Sequence, residues 1–111
     1  MVLYATTAGR CPVRDYIDGL PAREGARLSW ALDLLEEAGV ELGAPHVRSI
    51  GDKLWELRVT GRLQHRVLYF AAAGRRLVLL HAFTKKTSRT PLAEIEVAKR
   101  RLADHRERLE P

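Results

Sequence analysis

The sequence predicts an α+β fold of order β-α-α-β-β-β-α, with a helix hairpin and a C-terminal helix packed on an antiparallel sheet. Two observations predict it. Between residues 53 and 83, three short runs rich in β-branched, aromatic and leucine residues are separated by glycine-containing connections, as in an antiparallel meander. On either side of them, apolar residues recur at helical spacing.

Each element has its own signal. VLYAT, 2–6, reads as a short strand. Pro12 opens a helix over 13–19 with Gly19 as its stop, and Pro21 starts a stronger one. In the second, Leu28, Ala31, Leu32 and Leu35 lie on one face and Gly39 is a natural stop. The two make a hairpin over 13–38. Residues 40–52, with Gly43, Pro45 and Gly51, read as a loop. The strands are 53–59 (KLWELRV), 63–70 (LQHRVLYF) and 76–83 (RLVLLHAF); Thr60-Gly61-Arg62 and 71–75, with Gly74, connect them. The last strand is nearly all apolar and belongs in the sheet interior. Thr90 is a good N-cap and Pro91 a good first residue for a helix over 91–107, whose stripe is Leu92, Ile95, Ala98 and Leu102.

The chain has 111 residues, 46% of them hydrophobic and 30% charged, which fits one globular domain, 1–111, with a core that needs no disulfide or metal. Cys11 is the only cysteine, so no internal disulfide and no CxxC site is expected. There is no signal-peptide pattern and no membrane-length apolar run, and a cytoplasmic location is expected. A net charge of +5 attracts nucleic acid, acidic partners or anionic surfaces.

Strand alternation assigns faces. Trp55, Leu57, Val67 and Tyr69 are expected against the helices. Arg58 and Arg66 then emerge together on the opposite, open face. FTKKTSRTP, 83–91, carries Lys85, Lys86 and Arg89 from the last strand to the final helix. Two arginine forks and two lysines on one surface suit a phosphate. Pairing with a neighbouring carboxylate, for which Glu56 is close, is the alternative. His81 has a suitable ordinary pKa for proton transfer or is a buried strand histidine. His65 reads as core-facing, His46 as a loop residue, His105 as lying on a solvated helix end, and Trp30 and Trp55 as core. No histidine, cysteine or carboxylate spacing marks a metal site, and no cofactor is expected.

LWELR (54–58), HRVLYF (65–70) and LLHAFTKKTSRTPLAEIEVAKRR (79–101) together resemble the RelE/ParE superfamily of bacterial type II toxins, in its phage-derived HigB-like branch. The resemblance covers most of the chain and is densest from Leu54 to Arg101. It implies a RelE-like fold and a toxin that binds the ribosome and cuts mRNA without a metal, by attack of the ribose 2′-OH on the adjacent phosphate. It also implies silencing by a cognate antitoxin, often of helix-turn-helix type. On this resemblance Arg66 is the phosphate clamp, Arg58 the second clamp, Lys85 or Lys86 the general base, and Arg89 a contact to backbone phosphates. His81 is the alternative proton carrier. The sequence departs from the superfamily in one respect: a tyrosine common in the final segment of relatives is missing from AEIEVA, where Ile95 stands in its place. A gyrase-inhibiting toxin of the ParE kind and a non-catalytic RNA-binding module are the competing expectations.

Overall fold

The computed structural model describes residues 1–39, 46–72, 76–86 and 89–109. The expected connections at 40–45 and 73–75, with Gly43, Pro45 and Gly74, lie outside the described residues, as do Thr87 and Ser88 of the basic segment. The elements are β1 (Val2–Leu3), α1 (Pro12–Asp18), α2 (Ala22–Ala38), β2 (Val47–Gly51), β3 (Leu54–Thr60), β4 (Gln64–Ala72), β5 (Arg76–Thr84) and α3 (Leu92–Leu109). The expected α+β fold is present: three helices pack on one sheet.

That sheet has five strands in the order β1-β5-β4-β3-β2 and is mixed, because β1 runs parallel to β5 while the other neighbours are antiparallel. The strand expected over 2–6 is two residues long; after Tyr4 the chain bends into a turn closed by Thr6 and Arg10. Part of the expected 40–52 loop is instead strand β2, paired with β3 through Arg48↔Glu56 and Ser49↔Trp55. The residues joining them, Asp52 and Lys53, both have positive φ (51° and 66°), the left-handed geometry that suits a two-residue hairpin.

Both faces of the sheet are covered. Leu57, Val59, Val67, Tyr69, Leu77 and Leu79 pack against α1 and α2, whose contribution includes Val13, Leu28, Leu32 and Leu35. Leu54, Leu68, Phe70, Val78, Leu80 and Phe83 pack against Ala98 and Leu102 of α3. β5, with apolar residues on both sides, is interior as expected. The face opposite the helix hairpin is therefore not open along its whole length: α3 covers the half carrying Leu68 and Phe70.

On α3, Ile95, Ala98 and Leu102 follow the expected stripe, but Leu92 is exposed. His105 continues that stripe, three residues after Leu102, and is buried at 1% exposure rather than solvated. Trp30 is likewise misplaced by the sequence reading. It lies off the Leu28–Ala31–Leu35 face of α2 and is 66% exposed. Trp55 is half-buried against the α1/α2 core, and Tyr69 is in it, its phenol pushed up to about 12 by burial.

Candidate functional site

Beyond the end of α3, the same face of the sheet carries charge. Alternation on β3 puts Glu56 and Arg58 beside Leu54, and the register sets Arg58 directly opposite Arg66 of β4. Glu56 is fully buried. Its Oε1 accepts a 2.9 Å hydrogen bond from Arg48 Nε and lies 3.6 Å from Arg58 Nε and 3.8 Å from Arg66 Nε. Its Oε2 accepts from the Thr90 hydroxyl, which in turn accepts from Arg48 Nη2 at 3.2 Å. Burial pushes the Glu56 carboxyl up. Hydrogen bonds from Thr90 and Arg48 and the Arg48 and Arg66 charges outweigh it and hold the group below the usual carboxylate value.

The alternative expectation, that the sheet arginines meet Glu56, thus holds, and it leaves a surplus of charge. Among the described residues, one carboxylate faces three guanidiniums. Arg66 is not on an open surface: it is 5% exposed, and it donates to the His65 carbonyl (3.0 Å) and to Gln64 Oε1 (3.2 Å). The residue opposite it on β5 is the core phenylalanine Phe83, which closes that side. The solvent-facing cations are Arg58 and Arg48, with side chains 34% and 43% exposed. Arg48 was missed because it lies in the segment read as loop. Thr90, a helix cap by residue type, instead spends its hydroxyl on Glu56, and the Pro91 carbonyl takes the first bonds of α3 from Glu94 and Ile95.

A change of register decides which lysine joins the cluster. Tyr69 pairs with Leu79 and Leu68 with His81, so β5 carries one extra residue, Leu80. Beyond this bulge the alternation is inverted. Phe83 turns to the α3 face and Thr84 to α1, where its hydroxyl lies 2.7 Å from Tyr16 Oη. The Lys85 N–H donates to the Gln64 carbonyl at 2.8 Å, extending the ladder by one step and putting Lys85 on the face of Gln64 and Arg66. Burial, then the Arg66 charge, lowers the Lys85 amine below the ordinary lysine value; Glu56 opposes this, and Arg48 and Arg58 add to it. Lys86 and Arg89 are exposed.

His81 is drawn to α3 rather than to this cluster. Its Nε2 lies 3.3 Å from Glu94 Oε1, its Nδ1 3.1 Å from Arg101 Nη1, and its ring stacks on Phe83 with centroids 5.4 Å apart. Burial lowers its pKa, with Glu94 opposing. His65 is core-facing as expected, within a buried relay. Its Nε2 is 3.1 Å from Glu24 Oε1 and its Nδ1 is 2.7 Å from Tyr16 Oη. The ring thus bridges the Glu24 carboxylate and the Tyr16 hydroxyl. The relay ties α1, α2 and β4 to Thr84, next to Lys85.

On the far side of Arg58 and Arg66 lies a groove of about 400 Å³, with Leu57 and Val59 among its lining and Trp30, Arg27 and His46 also against it. Arg27 Nε is 3.6 Å from Glu24 Oε2. A Cβ on Gly61 would come within 2.5 Å of that Nε and 2.9 Å of Glu24 Oε2, so glycine lets the pair lie across the β3–β4 turn. Chemically, the cluster can hold an oxyanion at Arg48 and Arg58 and offer it an amine with a weakened hold on its proton. Among the described residues no group of three or more His, Cys, Asp or Glu is placed to hold a metal ion, and no helix is long and apolar enough to cross a membrane.

No curated protein matches this chain. A family model does: that of the phage-derived protein Gp49-like family (DUF891) matches residues 15–103, from α1 to near the end of α3, and so spans the whole cationic cluster. The chain belongs to this Gp49-like family, one associated with RelE-like toxin proteins.

Proposed function

We propose that the protein is the toxin of a type II toxin–antitoxin system, of the HigB-like kind, and that it cuts mRNA on the ribosome. The observation that carries the reading is the unequal cluster, in which buried Glu56 faces Arg48, Arg58 and Arg66 with Lys85 beside them. Buried charge without equal counter-charge is costly, and a phosphate between the exposed guanidiniums restores the balance.

In this reading Arg58 and Arg48 hold the phosphoryl oxygens and stabilise the charge that grows on them as the ribose 2′-oxygen attacks. Lys85, as free amine, takes the 2′-OH proton. The bond from phosphorus to the 2′-oxygen forms and the bond to the 5′-oxygen breaks. The 5′-oxygen leaves with a proton from water, giving a 2′,3′-cyclic phosphate and a 5′-OH end. Arg66, from its buried position, orders Glu56 and depresses the Lys85 amine. The partners are the ribosome with its mRNA and a cognate antitoxin, of helix-turn-helix type, whose acidic segment covers the cluster. Ile95, on α3 and partly buried against the sheet core with no hydroxyl to offer, favours a second reading, RNA binding without cleavage.

Inducible expression with mapping of mRNA 5′ ends on ribosomes separates the two. New 5′-OH ends that vanish with Lys85→Arg are expected. Stalled translation without new ends would establish the binding-only reading. Normal translation with inhibited gyrase would overturn both.

A further inference from the structure

The groove beside Arg58 and Arg66 has no role in the reading above, and Trp30 has no role in the core. We infer that this groove binds one nucleobase of a single-stranded RNA, with the Trp30 indole as its stacking platform. The inference rests on the phosphate site proposed above and adds a specificity subsite to it.

Four observations point to that occupant. Trp30 is 66% exposed on a helix whose buried face is complete without it. Tryptophan is enriched at binding surfaces, where its indole offers a large flat apolar face. The groove combines apolar walls, Leu57 and Val59, with cations, Arg27, Arg58 and Arg66, and no carboxylate is among its lining within the described residues. A planar base linked to a phosphate needs that combination; a basic or zwitterionic ligand would need an acid. The volume, about 400 Å³, suits one nucleotide rather than a helix or a stacked run. Most tellingly, Arg58 and Arg66 belong both to the groove and to the Glu56 cluster. A phosphate held at the cluster therefore delivers its own nucleoside to the groove and not to some distant surface.

Arg27 lies beside Glu24, 3.6 Å away, in space that the bare face of Gly61 leaves open, and Glu24 is itself anchored by the Leu63 N–H at 2.9 Å and by His65. Base stacking is sequence-tolerant, since every base has a π-face. Any preference comes from the polar edges nearby, His46 and Thr60.

The test uses the full chain carrying Trp55→Phe, so that Trp30 alone reports. Its fluorescence is titrated at low salt with an RNA oligonucleotide of mixed sequence and with an abasic ribose-phosphate oligomer of equal length. The RNA should quench Trp30, and the abasic oligomer should bind with little quenching. Trp30→Ala should weaken RNA binding about tenfold or more and leave abasic binding unchanged. An exposed helix position tolerates the change, and circular dichroism confirms the fold. If Trp30→Ala leaves RNA affinity intact while Arg58→Ala abolishes it, the base subsite is refuted and the phosphate site stands. If neither oligomer binds through Arg58, both fail together. If Trp30→Ala instead abolishes binding of an acidic antitoxin peptide and spares RNA, the groove is a protein-docking surface and the inference is overturned.

Discussion

Arg101 of α3 donates from Nη1 to the Leu80 carbonyl at 2.9 Å, at the point where β5 carries one residue more than β4. The same nitrogen lies 3.1 Å from His81 Nδ1. The helix thus pins the bulge, and the bulge sets the alternation that turns Lys85, not Lys86, toward Arg66. Replacing Arg101 with alanine removes a charge-assisted bond to a bulge carbonyl, worth about 1.5–3 kcal/mol. Urea unfolding should register that loss. The informative readout is elsewhere: RNA cleavage should fall further than binding, and Arg101→Lys should recover part of it. Equal losses of both, tracking stability alone, would leave Arg101 a structural residue only.

Arg58 and Arg66 are cross-strand partners, yet the protein treats them unequally. The sequence predicts Arg66 on the open face; in the structure Arg66 is buried and Arg58 is the more exposed of the two. Arg66→Ala empties a buried position beside Glu56 and should cost roughly 3 kcal/mol in denaturant unfolding. Arg58→Ala, at a partly exposed position, should cost about 1 kcal/mol or less while reducing RNA affinity at least as much and flattening its salt dependence. An Arg66→Ala protein as stable as the parent would contradict the buried role.

Much of the fold was legible because its signals are local. β3, β4 and β5 announce themselves by apolar alternation and α2 by its leucine stripe. Even the burial of the second sheet face was written in Leu68 and Phe70, which sit beside Arg66 in alternation and have no reason to be apolar on an open surface. What stayed hidden depends on geometry that no residue type encodes. β2 and Arg48 were missed because their hairpin turns on Asp52-Lys53, two residues in left-handed geometry, where Asn-Gly would have given the turn away. The bulge at Leu80 has no glycine to mark it, and so alternation counted straight through β5 could not choose between Lys85 and Lys86. Residue type alone points Trp30 to the core, but two steps from Leu28 around a helix is the opposite side.

Glu56 gives the cluster a pH dependence of known sign. Its carboxyl is held below the usual value in the folded chain, against about 4.3 unfolded. The unfolded chain therefore binds the proton first as pH falls. The stabilisation is complete above the unfolded value and is lost as pH drops through the folded one. Glu56→Gln should lower stability at neutral pH by roughly 3 kcal/mol, because three guanidiniums lose their counter-charge. It should also make the remaining stability fall less steeply below about pH 4. Glu24, lowered by the Leu63 N–H and His65, keeps a share of the acid loss. Unfolding curves for both proteins from neutral to acid pH measure the difference; parallel curves would show that Glu56 is not the titrating group.

On the proposed reading, Lys85 gives cleavage a pH dependence of its own. Burial and the neighbouring arginines disfavour its ammonium, so the free amine grows in below the pH at which an ordinary lysine, near 10.4, deprotonates. If that amine takes the 2′-OH proton, cleavage should rise with pH and level off before the ordinary lysine range. Lys85→Arg keeps the positive charge but not a removable proton. It should hold ribosome affinity within about a factor of three and lower cleavage by 10²-fold or more, the usual worth of a general base. Lys86→Arg, at an exposed position that the bulge turns away, should leave both unchanged. Single-turnover cleavage across the alkaline range, run beside ribosome-binding assays on the two variants, tests the assignment. A Lys85→Arg enzyme with undiminished rate and the same pH profile would remove Lys85 from proton transfer and leave it a phosphate contact.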